Sequence, residues 1–290
     1  MKIVKYRKKH IKNKRHNYEY DVDVQLNTAP ANVIRMVGHN KRLLEIGCGP
    51  GSITKILAEK NRCKVIGVEL DPKAIEKVRP YCLEVFQADL NSAEWPSLFD
   101  TRDRFDVLVA ADVLEHLYDP WVSLQRMVPL IKSDGYIVIS LPHIGHAAVM
   151  SCIYNGDFEY RDWGLLDRTH IRFFCLKNIQ ELFIQANLKI IEVAYVTKSP
   201  EETEFAATWD KLPNLVKTAF KTNPHAYLYQ VVVKAVPTER PEKGLLLTLE
   251  NYSSDKIGIL TKIKRCLGAR INPDAKVKIR KVFKIFGIRV

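Results

Sequence analysis

From residue 42 onward, apolar and polar positions alternate in two recurring patterns. Short apolar runs at 42–47 (RLLEIG), 64–70, 83–90, 105–112 and 135–142 are each bounded by polar residues or glycine. Runs of this length, rich in Val, Ile and Leu, predict strands buried on both faces. Between them lie stretches of helical period. Residues 52–60 put Ile53, Ile56 and Leu57 on one face, residues 72–78 carry Pro72 in a first turn, and residues 121–131 form a third stretch. Strands alternating with helices at this spacing predict an α/β fold with a mostly parallel sheet covered on both faces. Further along, 176–188 predicts an amphipathic helix, and 189–196 and 226–236 predict two late strands. Residues 238–255 are polar and contain proline, and predict a linker. Three parts follow: residues 1–40 as a basic tail and leader, 41–237 as the folded domain, and 238–290 as a linker and basic tail.

Charge changes this picture only at the ends. The 290 residues carry a formal net charge of +12, of which residues 1–16 hold +8 and residues 256–290 hold +10, leaving −6 for the middle. The domain is therefore mildly acidic, which argues against nucleic acid as its partner. The C-terminal basic run is interleaved with Ile259, Leu260, Ile263, Leu267, Ile279, Val282, Phe283 and Phe286 at helical spacing. A helix with one greasy and one cationic face suits an anionic membrane surface or a partner helix. The six cysteines are scattered without a Cys-x-x-Cys pair, as in the reducing cytoplasm, and contact with the membrane is expected only through that tail. No run approaches the roughly 18 apolar residues of a spanning helix.

The candidate chemistry begins where the first strand ends, at Glu45-Ile-Gly47-Cys48-Gly49-Pro-Gly51. Glycines there permit a tight turn and let a ligand lie against bare backbone, and the following helix presents free N–H groups. Glu69 ends the second strand about 20 residues later, where a carboxylate can bond both ribose hydroxyls. Asp89 ends the third strand and can accept from an adenine amino group. The segment ADVLEHLYDP (111–120) follows the fourth strand. All these pieces fall at carboxyl ends of strands, the edge at which open parallel sheets bind ligands.

This set resembles the class I S-adenosylmethionine-dependent methyltransferases, in the small-molecule branch with a VLEHL motif. The resemblance covers about residues 20–236 and implies a Rossmann-like seven-stranded sheet whose last strand is antiparallel. It implies that Gly47, Cys48, Gly49 and Gly51, with Glu45, back the methionine part of S-adenosylmethionine. Glu69 would hold the ribose, Asp89 would contact the adenine, Ala111, Asp112 and His116 would line the methionine and methyl end, and Leu70 and Leu90 would stand with them in the cofactor site. The leader at 18–37 would form a helix over the cofactor, with Tyr20 closing on it.

Methyl transfer to oxygen requires a positioned acceptor and a base for its proton. The segment after the fifth strand carries His143, His146, Asp157, Asp162, Asp167 and His170, with Tyr154, Phe158, Tyr160 and Trp163 available as walls. His143 or His146 is the expected base, Asp167 and His170 orient the acceptor, and Arg168 or Arg172 pairs with an acid or phosphate. Asp167 with Thr169 also fits a turn cap, and Phe173 and Phe174 are expected in the core. Histidines beside acids suit zinc or iron, but no tight His-x-x-x-His pair is present and no metal is expected. The stretch GLLDRTHIRFF (164–174) resembles methyltransferases associated with bacterial surface polysaccharides, which implies a sugar hydroxyl on a glycan or nucleotide-linked sugar. A quinone-like or natural-product phenol is the alternative acceptor, and a non-catalytic cofactor-binding subunit the alternative role.

Overall fold

The computed structural model describes residues 18–247. The basic ends at 1–16 and 256–290, and with them the amphipathic tail and its membrane or partner contacts, lie outside the described residues.

Seven strands form one sheet: β1 (Arg42–Ile46), β2 (Lys64–Glu69), β3 (Glu84–Gln87), β4 (Phe105–Ala111), β5 (Ile131–Pro142), β6 (Leu188–Thr197) and β7 (Leu228–Pro237). Their order is β3-β2-β1-β4-β5-β7-β6. The pairs through β5 are parallel, and β7 runs antiparallel between β5 and β6. This is the Rossmann-like arrangement expected. Alternate residues of the central strands enter two separate cores. Leu44, Ile46, Leu108, Ala110, Ile137 and Ile139 pack on one face, and Leu43, Val107, Val109 and Val138 on the other.

Helices α1 (Ala29–Val37) and α2 (Thr54–Glu59) cover the second face, while α4 (Pro120–Met127) and α6 (Leu176–Gln185) cover the first. The remaining helices are α3 (Pro72–Val78), α5 (Ala147–Tyr154), α7 (Ala206–Asp210) and α8 (Asn214–Lys221). Thr28, Asp71 and Asp119 cap α1, α3 and α4 with side-chain oxygens, each just before a helix with proline in its first turn. Both features stabilise a helix start without consuming an internal bond.

Several expectations are corrected. The helix read at 121–131 ends at Met127, because Pro129 cannot continue it, and Ile131 already belongs to β5. The leader helix α1, expected over the cofactor at the glycine loop, has its main contacts with β4, β5 and β7. The extended stretch before it does reach that loop: Tyr20 N donates to Ser52 Oγ at 3.0 Å, and Ser52 Oγ donates to the Tyr18 carbonyl at 3.2 Å. The start of the supposed linker is docked. Leu245 N bonds the Ile190 carbonyl at 2.7 Å, Leu247 N bonds Gln180 Oε1 at 2.9 Å, and Leu247 joins the core. Its remainder, 248–255, lies outside the described residues. No helix among the described residues is long and apolar enough to cross a membrane.

Candidate functional site

The glycine loop is held from three sides. Gly47 has φ +66°, and a Cβ there would meet Val113 Cγ2 at 2.7 Å, so only glycine fits. Gly49 N donates to Glu69 Oε2 at 2.8 Å, while Leu70 N and Asp71 N donate to Oε1 at 2.8 and 2.9 Å. Glu69 thus ties the loop after β1 to the end of β2. Beneath the loop lies Glu45, 3% exposed. Burial pushes its carboxyl up to about 7. Cys48 is a buried free thiol whose ionisation burial also raises.

Around this loop stand the other expected cofactor residues. Leu70 is exposed beside Glu69, and Leu90 packs against the edge of the core. Asp89 Oδ1 accepts from Asn91 N and Nδ2 at 2.9 and 3.2 Å, so Asp89 shapes a turn. Ala111 is the last residue of β4. Asp112, with φ +54°, receives Ser140 Oγ on Oδ1 at 2.7 Å and Gln230 Nε2 on Oδ2 at 2.9 Å. Burial raises its carboxyl above the usual range. The Tyr20 phenol also titrates high, through burial and then the negative fields of Asp112 and Glu45. Bare backbone that tolerates no Cβ at Gly47, the Glu69 carboxylate at the end of β2 and apolar Leu70 fit S-adenosylmethionine. The Thr54 hydroxyl, which has no other partner, acts on the Glu45 carboxyl as a hydrogen-bond donor and partly offsets its burial.

Next to Asp112 the turn 114–116 meets the segment 164–174. Thr169 Oγ1 donates to Asp167 Oδ1 at 2.7 Å, and Thr169 N donates to the same oxygen at 2.8 Å. His116 Nδ1 lies 3.0 Å from Thr169 Oγ1 and 3.2 Å from the Thr169 carbonyl. The hydroxyl proton is committed to Asp167 and a carbonyl only accepts, so His116 Nδ1 carries the proton and Nε2 keeps its lone pair. Burial lowers the His116 pKa and keeps the ring neutral at pH 7. Asp167 therefore does both things its sequence allowed: it caps the turn and anchors a chain ending on His116. Tyr18 adds its hydroxyl to Asp167 Oδ2 at 3.5 Å.

His170 stands edge-to-face on His116 with ring centroids 4.8 Å apart. Its Nδ1 faces the Leu165 carbonyl at 3.3 Å, and its Nε2 lies 3.8 Å from Oε1 of Glu115. Burial lowers His170 to about 4 and raises Glu115 well above the usual carboxylate range. Glu115, His116 and His170 bring one candidate ligand atom each within 4.8 Å of one another, the one such triad among the described residues. Imidazoles with a carboxylate could hold zinc or iron.

An open pocket of about 510 Å³ adjoins this cluster, lined by Tyr160, Arg168, His170, Ile171 and Phe173. Phe158 packs edge-on against Tyr160 and Phe173 at 5.2 and 5.9 Å. Phe174 is in the core as expected, whereas Phe173 is 38% exposed and walls this pocket instead. Tyr154 packs away on Phe220, and Trp163 lies under Lys198.

His143 and His146 sit elsewhere. His143 is fully buried, stacked on His225 at 5.1 Å, with neither ring nitrogen partnered. His146 caps α5: its Nδ1 accepts from Ala148 N at 3.1 Å, and its Nε2 donates to the Lys198 carbonyl at 2.9 Å. Both nitrogens of His146 are spent on backbone, and burial lowers the two rings to about 4 (His146) and about 3 (His143). The residues that sequence reasoning missed are Thr169 as a link, Ser140 and Gln230 under Asp112, and Glu115. Only Glu115 carried a signal, an acid inside an apolar motif.

These burials fix a pH dependence. His143, His146 and His170 bind fewer protons folded than unfolded, so stability rises with pH from about 3 toward the unfolded value of 6.5. Glu45 and Glu115 bind more protons folded, so they oppose that rise, Glu45 between 4.5 and about 7. The histidine contribution, to which His116 and His225 add and which Glu45, Asp112 and Glu115 oppose, should raise the urea midpoint between pH 4 and 6.5. His143→Phe should flatten that limb by an amount on the order of 4 kcal/mol, since each tenfold loss of proton affinity on folding is worth about 1.4 kcal/mol. An unchanged slope would mean that His143 is not held neutral.

Residues 16–193 match the family described as "Methyltransferase domain". The ubiquinone biosynthesis O-methyltransferase of Bradyrhizobium diazoefficiens is 28% identical over 170 residues, 58% of this chain and 64% of that protein. The chain thus spans less than two thirds of that relative's length. The enzyme of the same name from Nitrosomonas europaea is 25% identical over 181 residues, covering 61% of this chain and 75% of that one. Among solved structures, a SAM-dependent methyltransferase from Archaeoglobus fulgidus shares the fold with a TM-score of 0.52 and 18% identity, over 73% of this chain and 94% of that one.

Proposed function

The chain belongs to the methyltransferase-domain family and is an S-adenosylmethionine-dependent methyltransferase; from that premise we propose that its acceptor is the hydroxyl of a small phenol-type molecule, with His116 as general base. The observation that carries this reading is the Asp167–Thr169–His116 chain. It fixes one tautomer and leaves Nε2 unbonded, on a ring near Asp112 that stands edge-to-face on His170, which lines the pocket. S-adenosylmethionine supplies a methyl group already activated by its sulfonium. The protein must then orient the acceptor oxygen and receive its proton.

Each part of the site has one such task. Glu69 and the Gly47–Gly51 backbone hold the cofactor's ribose and methionine portions, Glu45 supports that loop from beneath, and Asp89 borders the adenine. Tyr160, Phe173 and Phe158 confine a flat ring by offset or edge contacts. His116 takes the hydroxyl proton at Nε2, and the charge on the ring passes into the hydrogen bonds toward Asp167. His143 and His146, expected as bases, fit that role less well: both are buried, His146 spends both ring nitrogens on backbone, and His143 stacks on His225.

Base strength supports a phenol over a sugar alcohol. A base whose pKa burial has lowered works best on a hydroxyl that ionises readily, and phenols ionise near 10. The named relatives also carry a quinone-pathway name, and none of them carries a sugar name. The test is transfer of labelled methyl from S-adenosylmethionine to catechol and, in parallel, to a methyl glycoside. Label in methoxyphenol is the expected product. Label only in the glycoside would restore the sugar reading. Tight S-adenosylhomocysteine binding with no label in either would favour a cofactor-binding subunit.

A further inference from the structure

The pocket beside His170 carries one full charge in its lining. Tyr160, Ile171 and Phe173 are apolar walls, His170 is held neutral by burial, and Arg168 is the cation. The two arginines of this segment differ in what occupies them. Arg172 donates from Nε and Nη2 to the Tyr118 carbonyl, and its guanidinium lies 5.8 Å from the Trp121 ring centroid. That arginine is spent on structure. Arg168 has one ion-pair partner, Asp162, at 2.5 Å from Nη2, and the two side chains are 55% and 59% exposed.

Such a pair is weak. Exposed ion pairs contribute about 0.2–1 kcal/mol, because water screens them and two side chains must be ordered. Asp162 is not among the pocket-lining residues, so Arg168 borders the cavity while its guanidinium rests on a carboxylate outside it, from which an exposed side chain can swing inward. An anion on a molecule seated between aromatic walls would be better desolvated and better fixed than Asp162. It would meet the planar fork of an arginine, which pairs with carboxylates through two parallel bonds. The neighbouring charges also limit its valence. Asp162 and Asp167 lie on the same loop, and Arg161 is already paired with Glu159 at 2.5 Å. One available guanidinium neutralises one negative charge. A phosphate of about −1.5 to −2 would leave an uncompensated excess beside two acids.

The geometry points to an acceptor that bears a carboxylate as well as the hydroxyl to be methylated, with Arg168 as the residue that selects it and Asp162 as the counter-ion it displaces. This deepens the proposed reaction and rests on its placing of the acceptor in this pocket. Arg168 sits next to Asp167 and Thr169 in sequence, so the anion would be gripped by the loop that positions His116. Binding and base alignment would then be coupled through three consecutive residues.

Calorimetry on the full chain with saturating S-adenosylhomocysteine tests it with three probes: 3,4-dihydroxybenzoate, catechol and 3,4-dihydroxybenzylamine. The benzoate should bind on the order of tenfold or more tighter than catechol, with the amine weakest, as expected for one added charge-assisted pair. Arg168→Ala should erase the preference while leaving catechol affinity within about twofold. Asp162→Asn should strengthen benzoate binding a few-fold and leave catechol unchanged. Equal affinities for the three probes in the unmodified protein, or a preference surviving in Arg168→Ala, would overturn the assignment. Labelled S-adenosylmethionine, supplied to the same proteins, reads the reaction separately. Benzoate that binds through Arg168 but is never methylated would defeat the proposed chemistry and leave the Arg168 contact standing.

Discussion

His116→Ala should lower kcat for phenol methylation by about 10²–10⁴-fold, the usual range for a removed general base, while S-adenosylhomocysteine affinity changes only a few-fold. The separation matters because His116 lies beside Asp112 at the methyl end, where it could serve the cofactor instead. A cofactor role would raise KM for S-adenosylmethionine and spare kcat at saturation. Thr169→Val keeps the shape but removes the hydroxyl that links Nδ1 to Asp167. It should cost less than the histidine itself, because the Thr169 carbonyl at 3.2 Å still holds the same tautomer. The pH profile gives the sign. Burial depresses the His116 pKa, so activity should rise with pH to a plateau already reached near neutrality. A plateau reached only well above about pH 8, or full kcat in His116→Ala, would place the base elsewhere.

How much of this was legible in the sequence differs by element. Strands β1, β2 and β4 were readable because each is buried on both faces and bounded by a glycine or a polar break, whereas β3, at the sheet edge, has no buried residue and was read from its place in the alternation. The glycine loop was readable because its turn constrains backbone: Gly47 tolerates no Cβ against Val113. Residues 198–225 gave no assignment. They hold α7 and α8, five and eight residues long, each too short for a helical period to repeat, and both pack on α5. The choice of His116 as base was not readable at all. His143, His146, His116 and His170 look alike in a sequence, and what separates them is the partner each ring finds, from the His225 ring for His143 to backbone for His146 and Thr169 for His116. The Lys198 carbonyl that occupies His146 lies 52 positions away, and Thr169 lies 53 positions from His116. Phe173 and Phe174 show the same limit on a smaller scale, since adjacent residues of a non-helical return face opposite ways. One enters the core and the other faces the pocket.

Glu69→Ala should reduce S-adenosylhomocysteine affinity by at least about 100-fold, more than loss of a ribose contact alone would explain. Its carboxylate accepts three backbone N–H groups, from Gly49, Leu70 and Asp71, all between 2.8 and 2.9 Å. Hydrogen bonds to a charged group are worth about 1.5–3 kcal/mol each, and leaving donors unmet adds to the loss. The alanine variant therefore loses the ribose acceptor and the anchor of the glycine loop together. Glu69→Gln separates the two. With its carbonyl oxygen toward Leu70 and Asp71, its amide nitrogen must face Gly49 N–H, where two donors meet. The loop should loosen while the end of β2 stays intact. Amide exchange at Gly49 should accelerate in Glu69→Gln without acceleration at Asp71, and cofactor affinity should fall to a value between wild type and alanine. If the glutamine variant binds like wild type, the loop needs no carboxylate and the ribose contact alone accounts for Glu69. If it binds no better than alanine, the seat for the cofactor depends on a charge that joins two strand ends, since the remaining carbonyl could still meet the ribose.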